Sequence, residues 1–166
     1  MEISRRTLSK ALPIGFIAAM SAPVAANALA PAPSDEQLKA YKKIERQFNE
    51  LAEMKDTDVA RLAKQVDASR KNPNRPTPYI GLPGPAAIIS CILNAAWVFR
   101  QGTDKNRIIG QLTEIVVGCV GIPLGSTLTL KLSRIIWDNR TKIIAALSAI
   151  GLTAAQLAPL KNAPRP

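Results

Sequence analysis

The chain has 166 residues, 47% of them apolar, with two cysteines and no histidine, a size that suits one small domain with appendages and excludes barrel and doubly wound enzymes. The absence of histidine removes Ser-His-Asp and Cys-His catalysis, His-bearing zinc sites and His-ligated haem. The net charge of +10 is uneven: residues 1–34 carry +2, residues 35–71 nine basic and eight acidic groups, and residues 72–166 ten basic groups against only Asp104, Glu114 and Asp138.

Residues 1–28 have the three parts of an export signal: a basic start with Arg5, Arg6 and Lys10, an apolar stretch from Ala11 to about Ala26, and small residues at Ala26-Asn27-Ala28 that fit a cleavage site. Cutting instead after Ala30 would place Pro31 just beyond the scissile bond, where its ring and missing N–H obstruct an extended substrate. A retained anchor is disfavoured by Pro13, Gly15, Ser21 and Pro23, which interrupt the run of about 20 apolar residues that a spanning helix needs. The stretch Ser4-Arg5-Arg6-Thr7-Leu8-Ser9-Lys10 resembles the twin-arginine export signal of bacteria, Ser-Arg-Arg-x-Phe-Leu-Lys, with Leu8 for Phe and a departure at Ser9. The resemblance implies a chain exported from a bacterium to the cell envelope or the medium.

The second segment, 29–71, opens on Pro31-Ala32-Pro33, and Ser34 with Gln37 makes a capping box. The spacing predicts one charged amphipathic helix over 35–70, with Leu38, Tyr41, Ile44, Phe48, Leu51, Val59, Leu62 and Val66 in three- and four-residue steps and Lys55-Asp56 interrupting the stripe. Such a helix either packs on its own domain or pairs with a protein partner, and Ile44, Phe48 and Leu51 are the residues expected at a partner surface. Residues 72–85 hold five prolines and two glycines, which predicts a stiff linker and a domain boundary.

Residues 86–166 form the third segment, a cationic apolar bundle. Four helices are expected at 86–100, 106–121, 126–138 and 141–158, punctuated by Gly102, Gly121-Ile122-Pro123 and Asp138-Asn139. The alternation Thr127 to Leu132 is a competing strand signal, set aside because a lone strand would have no partner. A faint internal echo, Arg107–Ile115 with Lys142–Ile150, each after a Trp-x-x-Arg unit, suggests two helical hairpins and an all-α fold.

In an exported chain the two cysteines are candidates for pairing. An antiparallel hairpin turning at Lys105, midway between Cys91 and Cys119, sets them opposite each other, and the alternative is two buried thiols. No paired carboxylates, metal-ligand cluster or phosphate-cradling loop emerges, so no enzyme activity, cofactor, metal or small-molecule substrate is expected. Nucleic acid is not an expected partner, because dense basic runs with interleaved aromatics are missing from a chain with 4% aromatics.

The expected partner is anionic lipid or another cell-envelope component. Trp97, Arg100, Lys105 and Arg107 at the first hairpin tip, and Trp137, Arg140 and Lys142 at the second, combine cations with indoles suited to a membrane boundary. Cleavable signal, compact apolar helices, basic character and lack of catalytic residues are similar in type to small secreted helical bacteriocins, over residues 86–166. That resemblance implies a secreted cationic protein that binds and perturbs anionic bacterial membranes. The alternative is a non-catalytic envelope adaptor that docks through helix 35–70.

Overall fold

The computed structural model describes residues 31–72, 74 and 84–166. The export signal with Arg5 and Arg6, and most of the proline-rich stretch 72–85, lie outside the described residues. Those residues are helical and contain no strand: α1 (Asp35–Glu53), α2 (Asp56–Lys71), α3 (Pro85–Leu93), α4 (Ala96–Gln101), α5 (Ile108–Val120), α6 (Ser126–Asp138), α7 (Arg140–Ala149) and α8 (Ala154–Lys161).

The start of α1 is the capping box expected at Ser34: its hydroxyl accepts the Gln37 N–H at 3.2 Å, and Gln37 Oε1 accepts the Ser34 N–H at 2.9 Å. The other end of that side chain donates from Nε2 to the Pro123 carbonyl at 2.8 Å, so one residue both caps α1 and ties it to the loop before α6. The face made by Ala40, Tyr41, Ile44, Phe48 and Leu51 is buried.

The single helix expected over 35–70 is two helices. Met54 and Lys55 are both extended, with ψ of 147° and 148°. No glycine or proline causes this break, which falls where Lys55-Asp56 interrupts the apolar stripe. A distant side chain stabilises it: Lys142 Nζ donates to the Met54 carbonyl at 2.5 Å and to Asp56 Oδ1 at 2.7 Å, meeting one of the carbonyls that α1 leaves open at its end.

The centre of the molecule is α3. Ile88, Ile89, Ser90, Cys91, Ile92 and Leu93 are all buried, as expected of a helix that is apolar all round. It contacts α1, α2, α5 and α7, so the helices on both sides of the proline-rich stretch share one core. Residues Pro33–Pro166 accordingly form one compact unit, and within it the boundary expected at 72–85 does not separate two cores. Gly84 turns the chain into α3 with φ of 55°, and a Cβ there would lie 2.7 Å from Glu50 Oε2.

Cys91 and Cys119 form a disulfide joining α3 to α5, with Cα atoms 5.8 Å apart, as the hairpin geometry anticipated. The second expected hairpin differs. The most extensive partner of α7 is α2, whereas α6 packs mainly on α5 and α1. The expected helix 86–100 divides at Asn94-Ala95, and 141–158 divides at Ile150–Thr153. Thr153 and Gln156 form a second reciprocal capping box that begins α8, with bonds of 2.9 and 3.2 Å. The alternating stretch 127–132 is helical, and Leu128, Leu132 and Ile136 bury one stripe of α6.

Two buried hydroxyls cross the core, Thr113 Oγ1 and Ser133 Oγ, 3.0 Å apart, each also bonded to the carbonyl four residues earlier in its own helix. No buried side-chain polar atom among the described residues lacks a partner, as a low-dielectric interior requires.

Candidate functional site

The residues singled out from sequence fall into three environments. Ile44, Phe48 and Leu51 lie in the core, each 1% exposed or less. Their face is covered by the chain itself, so this fold does not present it to a partner helix.

The expected cluster at Trp137, Arg140 and Lys142 is engaged internally. Trp137 Nε1 donates to the Ala163 carbonyl at 2.9 Å, while the Arg140 guanidinium lies 3.9 Å and that of Arg165 5.4 Å from the indole centroid. Arg140 also donates to the Trp137 carbonyl at 3.1 Å, and Arg165 approaches Asp138 at 3.8 Å. This assembly latches the C-terminal tail onto the end of α6. Lys142 braces the α1–α2 break, and its side chain is only 18% exposed. The Trp-x-x-Arg echo is therefore not a structural repeat: one indole is held in place and the other is open.

That open indole is Trp97, 55% exposed on α4. The helix buries Ala96, Val98 and Phe99, which leaves Trp97 and Arg100, three positions apart, on its outer side. Gly102, at φ of 81°, ends α4. A hydrogen-bonded turn follows: Asp104 Oδ1 accepts the Asn106 N–H at 2.8 Å, and its carbonyl accepts the N–H groups of Arg107 and Ile108 at 3.0 and 3.1 Å. Thr103 Oγ1 bonds Gln111 Oε1 at 2.6 Å. Arg100, Lys105 and Arg107 are exposed and make no ion pair with any described residue. A large apolar ring and Arg100 thus share the outer side of α4, and the turn that follows exposes Lys105 and Arg107 together with the carboxylate of Asp104.

Arg100 also faces a groove of about 390 Å³, to which α2 contributes Asp67, Arg70 and Lys71, and which Leu93 and Ile150 line as well. Lys71 pairs with Asp67 at 2.7 Å, and Arg70 donates to Asn94 Oδ1 at 2.5 Å. Sequence reasoning missed this groove. Its basic residues are about thirty positions apart, and only the packing of α2 on α3 brings them together.

The described residues contain no group of three or more potential metal ligands, and none of their helices is long and apolar enough to cross a membrane. Comparison of the chain with family models, with curated proteins and with solved structures found no match.

Proposed function

We propose that this is a secreted cationic helical protein that binds and perturbs anionic bacterial membranes, and that contact is made through Trp97, Arg100, Lys105 and Arg107. The observation that carries the reading is the exposed indole of Trp97 on the same outer side of α4 as Arg100, followed by a turn in which Lys105 and Arg107 are exposed without an ion pair to any described residue. An indole favours the membrane–water boundary, and each cation held near an anionic bilayer contributes about 1 kcal/mol, so the three together supply about 3 kcal/mol. The scarcity of acid in residues 72–166 works in the same direction by limiting repulsion from the surface.

Perturbation is a second step, in which apolar helices of the docked protein separate and enter the acyl region. The Cys91–Cys119 bond restrains that step by holding α3 to α5. The envelope-adaptor alternative gains no support, since its docking residues are in the core.

Co-sedimentation with vesicles tests the reading. The wild type pellets with phosphatidylglycerol vesicles at low salt, stays in solution with phosphatidylcholine, and is released as salt rises. The triple variant Arg100→Glu, Lys105→Glu, Arg107→Glu stays in solution with both. Equal binding to the two lipids would refute the proposal.

A further inference from the structure

We propose that the groove between α2 and α4 is a binding site for a phosphate monoester, held between the guanidinium groups of Arg70 and Arg100. Both arginines line one groove of about 390 Å³, and a planar guanidinium fork suits the oxygens of a phosphate better than a point charge does. Arg70 is half-buried and oriented by its bond to Asn94 Oδ1. A guanidinium has five N–H donors, so one such bond leaves others for a ligand. Arg100 has no ion-pair partner among the described residues that a ligand would have to displace.

The charge of the groove points to a dianion. Arg70, Lys71 and Arg100 set against Asp67 leave two positive charges, and the single carboxylate is already engaged by Lys71 at 2.7 Å. The same basic residues offset the partial negative charge at the C-terminal end of α2, which would otherwise oppose an anion. Leu93 and Ile150 add apolar lining for the carbon skeleton next to the ester oxygen. The ligand is either the headgroup of a phosphatidic-acid-type lipid or a soluble phosphate ester. The lipid source rests on the membrane reading above, whereas the site itself does not.

Titration of the full chain with sn-glycerol 3-phosphate, followed through the arginine Nε–Hε resonances, tests the site. Saturable shifts of the Arg70 and Arg100 signals are expected, with binding weakened at least tenfold by Arg100→Gln and within twofold of wild type for Lys131→Gln. Lys131 is exposed on α6 and is not among the residues that line the groove, and its replacement removes the same charge. Absence of saturable shifts, or equal weakening by the two variants, overturns the site. Competition separates the sources: phosphatidic acid vesicles that displace the soluble ester identify the lipid headgroup, and vesicles that leave it bound identify a soluble ester. Glycerol phosphate binding without binding to any anionic vesicle would sink the membrane reading and leave the site standing.

Discussion

Phe48 has no exposed surface and lies on the buried face of α1 with Ile44 and Leu51. Phe48→Ala should destabilise the fold by about 3–5 kcal/mol, because it loses both transfer energy and packing around the vacated volume. By contrast Leu130, 47% exposed, should tolerate alanine within about 0.5 kcal/mol. Urea unfolding of the two variants checks the contrast. Tyr41 gives a pH dependence of known sign. Burial, and then the Glu45 carboxylate to which its hydroxyl donates at 3.3 Å, hold its pKa above the usual 10.0. The folded state therefore keeps the phenol proton where the unfolded chain loses it. Stability from this residue is complete below pH 10 and declines as pH rises through the higher folded value. Tyr41→Phe should flatten that part of a stability profile measured against pH. At this scale the sequence revealed which residues are buried better than it revealed which cations are free. Arg100 and Arg140 stand in the same Trp-x-x-Arg pattern, and it is the bond to the Ala163 carbonyl in the tail that holds the half-buried Trp137 in place.

At the scale of elements, the disulfide closes a separation of 28 residues between α3 and α5. Its reduction should cost about 3–4 kcal/mol on the chain-entropy account, which calorimetry or urea unfolding with and without reductant would register. The same bond should slow vesicle perturbation, so dye release from phosphatidylglycerol vesicles is expected to rise when Cys91 and Cys119 are both replaced by Ser; release unchanged or lower would count against helix separation as the perturbing step. Lys142→Met should loosen the α1–α2 junction, because it removes both the bond to the Met54 carbonyl and the pair with Asp56. Faster amide exchange around residues 54–58, with the rest of α1 little changed, is the expected result. These elements also show why helix boundaries were only partly legible. Ser34 and Gln37 announced the start of α1, and Thr153 with Gln156 carried the same pattern for α8 inside what read as one longer helix. At Met54-Lys55 the only local sign was the polar interruption of the stripe at Lys55-Asp56, with no glycine or proline, because the group that satisfies the end of α1 comes from α7.

Over the whole described unit, helices before and after the proline-rich stretch enclose α3, which leaves α1 and α2 part of the core. Periodicity was enough to anticipate an all-α fold for the described residues, and the cysteine pairing followed from placing a hairpin turn midway between Cys91 and Cys119, with two buried thiols left as the alternative. Neither could show that α2 lies against α7, since contacts between segments so distant in sequence depend on which apolar faces fit. The consequence for function is a change of surface. Of the two tryptophan and cation groups expected at hairpin tips, one braces the fold and the residues of the other are exposed, so the membrane reading now depends on Trp97, Arg100, Lys105 and Arg107 alone.

Tryptophan emission during titration with vesicles tests that dependence most directly, since Trp97 and Trp137 are the chain's two indoles and only Trp97 is strongly exposed. The account predicts a blue shift with phosphatidylglycerol vesicles that is absent with phosphatidylcholine, reversed by salt and abolished by Trp97→Phe. A shift of equal size with both lipids, or one that persists in the Trp97→Phe variant, would contradict it.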